Sequence, residues 1–90
     1  MNNKKIIEKK LYGYKKLDAS DPWKNVIDSV LQKYQGTEKG DLIKLRYFKK
    51  KSEVQICMQL YISRRSYYSW IQDIINDLTI MAAYEHLIKP

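Results

Sequence analysis

SEVQICMQLYISRRSYYSWIQDII, residues 52–75, decides the fold of this chain. Ser52 opens a Ser-x-x-Gln box, in which its hydroxyl accepts from the amide of Gln55 while the Gln55 side chain reaches back. Val54, Ile56, Cys57 and Leu60 then give a helix of about two turns its apolar side. Ser63 is a second helix-start signal. Beyond it Tyr67, Ile71, Ile74, Ile75, Leu78 and Met81 keep one face of a longer helix apolar as far as about Ala83. Tyr61, Ile62 and Ser63 are left as a three-residue connection.

Two helices so joined, the second beginning Ser-Arg-Arg-Ser, have the layout of a helix-turn-helix. The physical roles of that motif fall on suitable residues. Cys57 is small enough to let the second helix approach the first, and Ile62 plugs the gap after the turn. Tyr67 and Ile71 occupy the two apolar places one turn and two turns into the second helix. Arg64, Arg65, Tyr68, Ser69 and Gln72 are thereby set on the opposite face. Arginine grips guanine or phosphate through two parallel hydrogen bonds, glutamine pairs with adenine, and serine and tyrosine bond phosphates. These five are the candidates for reading bases, with Lys49, Lys50, Lys51, Ser52, Ser63 and Ser66 as candidates for the phosphates. Tyr61 is the discordant residue. The turn of this motif favours a glycine that tolerates positive φ, so a tyrosine there implies another turn geometry or modest strain.

Outward from this stretch, the rest of the chain also reads as helix. Three glycines and two prolines leave little room for strands or long loops. Ile6, Ile7, Leu11, Tyr14 and Leu17 recur at helical spacing between lysines, so a basic helix or arm is expected over residues 1–20, helical from about Asn3 to Leu17 and weakened at Gly13. Asp21 before Pro22 starts the next helix, whose stripe of Trp23, Val26, Ile27, Val30, Leu31 and Tyr34 runs to about Gln35, with Gly36 as its cap. A short helix from about Glu38 to Phe48 should turn Leu42, Leu45 and Phe48 inward. The expectation is an all-α fold: a small helical domain over residues 21–90 containing the helix-turn-helix, preceded by the lysine-rich segment.

Charge is unevenly distributed. Of the net +7, residues 1–24 contribute +4 and residues 25–60 contribute +3, while residues 61–90 balance at three cations against three acids. A basic front half suits a polyanion partner, although lysine-rich chains that bind nothing share the trait. The single cysteine excludes an internal disulfide and fits a reducing compartment. No apolar run approaches the roughly 18–20 residues that span a bilayer, and the N-terminus lacks the apolar segment of a secretion signal. A cytoplasmic protein with no membrane partner is therefore expected.

The segment LIKLRYFKKKSEVQICMQLYISRRSYYSWIQDIINDL resembles the C-terminal half of the small phage transcription regulators of the ArpU/RinA family and, more distantly, region 4 of sigma factors. Leu45 to Phe48 and the stretch from Ile56 to Ile75 carry the resemblance. Ser63, Arg64, Ser66, Tyr67, Tyr68 and Trp70 match the family pattern, whereas Cys57, Tyr61, Arg65 and Ser69 depart from it. IEKKLYGYKKL looks like that family's lysine-rich leading helix. The resemblance implies a phage-encoded activator of late or packaging genes, acting in the cytoplasm of a Gram-positive host, with Lys49–Lys51 near the DNA backbone.

Other chemistries find little in the chain. No Ser, His and acid cluster and no glycine-rich phosphate loop is discernible, so no enzyme activity and no cofactor is expected. His86 stands alone, and no metal site is expected. Asp73 and Asp77, four apart, read as acids on a solvated helical face. Three functions stay open: a regulator binding double-stranded DNA, a sigma-like adaptor that contacts host RNA polymerase, and a small terminase subunit. A homodimer is a further option, because a single module buries only about 600–1,000 Å² against DNA and DLTIMAAYEHLI has apolar residues to spare. Packing of that stretch against the helix at 22–35 is the competing explanation.

Overall fold

The helix starts are set by short side chains, as local capping chemistry requires. In the computed structural model, which describes residues 3–89, Asp21 accepts from the Trp23 amide at 2.9 Å. Thr37 accepts from the Gly40 amide at 3.2 Å. Ser52 accepts from the Gln55 backbone amide at 3.2 Å while the Gln55 side-chain Oε1 accepts from the Ser52 backbone amide at 3.0 Å. Ser63 accepts from the Ser66 amide at 3.1 Å. Each interaction satisfies an amide that the first helical turn leaves without a partner.

The elements are α1 (Asn3–Tyr12), a 3-10 turn (Tyr14–Lys16), α2 (Pro22–Lys33), α3 (Glu38–Ile43) running into a π-helical turn (Lys44–Phe48), α4 (Glu53–Leu60) and α5 (Arg64–Tyr84), and the four caps begin α2, α3, α4 and α5. The described residues contain no strand, so the protein is an all-α domain. α5 is the axis of the fold: α1 and α2 pack along it, and α3 and α4 close the remaining side. Its inward face supplies Tyr67, Ile71, Ile74, Ile75, Leu78 and Ala82, which meet Ile7 and Leu11 of α1 and Trp23, Val26, Ile27 and Val30 of α2. Burial of these apolar side chains, at about 25 cal/mol per Å² removed from water, is the main force holding the helices together.

Several details differ from the sequence expectation, each for a physical reason. α1 stops at Tyr12, and Gly13 and the 3-10 turn replace its expected last turn. It is a seated helix rather than an arm, because Ile7 and Leu11 lie in the shared core. α2 ends at Lys33, and Gly36 takes φ of +78° in the turn that follows. Gly40 is needed for another reason: a Cβ there would stand 2.4 Å from the Tyr34 carbonyl oxygen. In the π-turn the Lys49 amide bonds the Lys44 carbonyl at 2.9 Å, one residue further back than in an α-helix. That extra residue rotates the face, so Tyr47 is fully buried while Phe48 is half-buried and stacked on Tyr14. On α4 only Ile56 is buried, with Cys57 and Leu60 half-buried, and Val54 faces outward.

Three chain reversals use non-glycine residues at positive φ: Lys50 (+55°), Tyr61 (+55°) and His86 (+61°). In each case the next amide closes back on a carbonyl of the preceding helix: Ile62 on Cys57 at 3.1 Å and Leu87 on Ala82 at 2.8 Å, five residues earlier, and Lys51 on Leu45 at 2.9 Å, six residues earlier at the end of the π-turn. This closure satisfies carbonyls that the helix end leaves open. Tyr61 therefore adopts the left-handed conformation that glycine usually supplies, at a cost of about 1–2 kcal/mol.

Asp73 and Asp77 are not free solvated acids. Lys39 reaches Asp73 at 3.0 Å, and both Lys33 (3.1 Å) and the Tyr34 hydroxyl reach Asp77, fastening α2 and α3 to α5. Burial, then the bond to Asp77 and its charge, push the Tyr34 hydroxyl up to about 12. Part of the C-terminal stretch packs into the core. Leu78 and Ala82 are buried against α1 and α2, whereas Ile80 and Tyr84 project outward.

Candidate nucleic-acid interface

The starts of α4 and α5 come together at Glu53. Its carboxylate accepts from Arg64 Nε at 2.6 Å and from the Tyr68 hydroxyl at 2.8 Å. The Tyr68 hydrogen bond, and after it the Arg64 guanidinium, hold the Glu53 carboxyl below the usual carboxylate range. Arginines at a helix N-terminus oppose its positive dipole end, a conflict that a bound phosphate would relieve. For Arg64 the Glu53 carboxylate already does so. Sequence reasoning missed Glu53 because the contact joins residues eleven apart on separate helices.

The candidate base readers lie together on the exposed side of the first half of α5. Arg65, Tyr68, Ser69 and Gln72 are exposed there beside Arg64. Glu53 orients Arg64 and Tyr68, and the Gln72 amide nitrogen donates to Asn76 at 2.9 Å. Arg65 takes part in no ion pair among the described residues. The phosphate candidates divide. Lys49, Lys50 and Lys51 are exposed in the connection that leads into α4. The Ser52 and Ser63 hydroxyls are engaged as helix caps, and Ser63 also donates to the Ser66 hydroxyl at 3.2 Å, so Ser66 is half-buried within the cap.

Beneath this face lies a network that sequence reasoning did not anticipate. Arg46, on the π-turn, donates to the Tyr67 hydroxyl and to the Glu8 carboxylate (3.2 Å). Tyr47 donates to the same carboxylate at 2.8 Å. The guanidinium lies 5.2 Å from the Tyr47 ring centre and 5.7 Å from that of Tyr67, within cation–π range. Burial, then the bond to Glu8, raise the Tyr47 hydroxyl far above its ordinary value. α1, the π-turn and the first turn of α5 are thus tied at one point, and Tyr67 and Tyr68 touch edge to face with centroids 5.2 Å apart. The exposed side of α5 from Arg64 to Gln72 is thereby held on a rigid seat.

Charge pairing is segregated. The lysines of α2 and α3 are neutralised locally: Lys24 by Asp28 (3.7 Å), Lys33 by Asp77 and Lys39 by Asp73. Lys5, Lys9, Lys15, Lys16, Lys44, Lys49, Lys50, Lys51 and Arg65 have no ion pair among the described residues. The net positive charge is therefore carried by α1 and its 3-10 turn, the segment from Lys44 to Lys51, and the start of α5. Such a surface attracts a polyanion, and binding there would release counterions.

No group of three or more His, Cys, Asp or Glu side chains among the described residues is placed to hold a metal ion, and no described helix is long and apolar enough to cross a membrane. Four surface depressions have volumes between ≈ 120 and ≈ 270 Å³. The chain matches no protein-family model, no curated protein and no solved structure.

Proposed function

We propose that the protein binds double-stranded DNA through α4 and α5, used as a helix-turn-helix, and regulates transcription. In this reading the exposed side of α5 from Arg64 to Gln72 enters the major groove, and Lys49–Lys51 hold the backbone. The observation that carries it is the coincidence of two features on one part of the fold: exposed side chains suited to base edges, and cations without ion-pair partners on the segments leading to them. The resemblance of residues 42–78 to the ArpU/RinA regulators supports the narrower reading: a phage activator of late or packaging genes, working in the bacterial cytoplasm. The test is selection of binding duplexes from a random pool. A regulator prefers its selected site over random DNA by a thousandfold or more at physiological salt. Equal affinity for all duplexes would overturn the reading and favour a packaging role.

A second reading has its own observation. Val54 and Met58 on the outer side of α4, and Tyr61 just past its end, are 62%, 71% and 95% exposed. Apolar surface so displayed suits a protein partner, as a sigma-like adaptor on host RNA polymerase would require. Co-purification with polymerase that is lost in a Met58→Asp variant would favour it, and unchanged co-purification would count against it.

A further inference from the structure

We infer that the outer flank of α1, carrying Lys5, Lys9 and Tyr12, is a second anion-binding line that grips the DNA backbone beside the α4–α5 face. This rests on the DNA-binding reading and adds a contact surface to it. Glu8 and Tyr12, one turn apart on α1, mark the flank that meets the π-turn: Glu8 accepts from Arg46 and Tyr47, and the Tyr12 ring packs edge-on against Tyr47 with centroids 4.9 Å apart. Arg46 also donates to the Tyr67 hydroxyl, on the first turn of α5. The linkage from α1 to the reading helix is therefore a single side chain deep.

Residues three and four apart on a helix are neighbours. Lys5, Glu8, Lys9 and Tyr12 follow that spacing and form one ridge. Lys5 and Lys9 are exposed without ion-pair partners among the described residues, and Tyr12 is 42% exposed. Glu8 does not cancel these lysines, because Arg46 and Tyr47 occupy its carboxylate. Lys10 leaves α1 on the other flank, where its ammonium lies 6.0 Å from the Trp23 ring centre of α2. Adjacent lysines of one helix thus face different surroundings, one an open ridge and the other the α2 side. An ammonium and a phenolic hydroxyl side by side are phosphate donors, so the line recognises the backbone and not the sequence.

The test compares Lys9→Gln with Lys10→Gln. Each removes one positive charge and keeps most of the apolar stem. Binding to a random-sequence duplex of about 20 base pairs is measured across a salt series, with folding checked by circular dichroism. One lost phosphate contact lowers the slope of log affinity against log salt by about one. We expect that drop for Lys9→Gln and for Lys5→Gln, roughly additive in the double variant, and no change for Lys10→Gln. Equal slopes for the Lys9 and Lys10 variants would overturn the α1 line. If wild-type protein binds duplexes in an Arg65-dependent way while both α1 variants behave as wild type, only this inference fails. Absence of all duplex binding by the wild type would remove the DNA reading itself, and this line with it.

Discussion

The two halves of α5 share one inward apolar face and differ in everything outside it. From Arg64 to Gln72 the outer side carries cations, hydroxyls and an amide, and Glu53 of α4 aligns two of them. From Asp73 onward the acids turn back to the body of the protein, binding Lys39, Lys33 and Tyr34, and the remaining outward residues include Ile80 and Tyr84. Packing therefore fixes where a helix sits and leaves its exposed side free to specialise. In the second half charge serves to fasten α2 and α3, and in the first half Arg64 is paired with Glu53 while Arg65 has no ion pair among the described residues. The same contrast separates Lys24, Lys33 and Lys39 from Lys5, Lys9 and the connection at 49–51.

The sharpest way to break this division is to remove the support under the first half. Arg46→Ala leaves the Glu8 carboxylate and the Tyr67 hydroxyl without their shared donor. Removing one partner of a buried ion pair costs roughly 3–5 kcal/mol. Because a quarter of the Arg46 side chain (25%) stays exposed, the lower end, about 3 kcal/mol, is expected in urea unfolding. A loss under about 1 kcal/mol would show that the network is not a mechanical seat. Arg65→Ala comes next. It should cost roughly 1–3 kcal/mol of affinity at the selected site with no change in melting temperature. Unchanged affinity would move the reading face elsewhere.

Tyr61→Gly runs in the opposite direction. It removes left-handed strain at a side chain 95% exposed, so about 1 kcal/mol of added stability is expected, or roughly 4–8 °C in melting temperature. A destabilised variant would mean that Tyr61 has a packing role. The smallest effect separates free from paired lysines. Lys50→Ala should lower the salt slope of DNA binding by about one, whereas Lys33→Ala should leave it unchanged. Equal slopes would erase the distinction between the two charge classes.

What was legible in the sequence is what is local. Asp21 before Pro22, Ser52 with Gln55, and Ser63 form their caps within three residues, so their chemistry can be read from spacing alone. The apolar faces of α2 and α5 followed from helical periodicity in the same way. The π-turn was not legible, since its register is tied to where Arg46 and Tyr47 find Glu8, 38 and 39 residues away. Val54 was assigned to the apolar side of α4, but packing uses Ile56, Cys57 and Leu60 there and leaves Val54 outward. Gly40 gave no signal because its requirement is the approach of the Tyr34 carbonyl across a turn. That Arg64, Arg65, Tyr68, Ser69 and Gln72 share an exposed side of α5 followed from helical spacing, but the contact of Glu53 with two of them did not, because an ion pair between helices leaves no periodic trace.

The most direct measurement is amide chemical-shift mapping of the labelled protein on titration with its selected duplex. The account predicts that the largest changes fall on residues 49–52 and 63–72, with a second group on the outer flank of α1 at Lys5, Lys9 and Tyr12, while α2 and the second half of α5 stay still. Shifts concentrated on α2 and the C-terminal half of α5 would contradict it, as would a spectrum that duplex DNA leaves untouched.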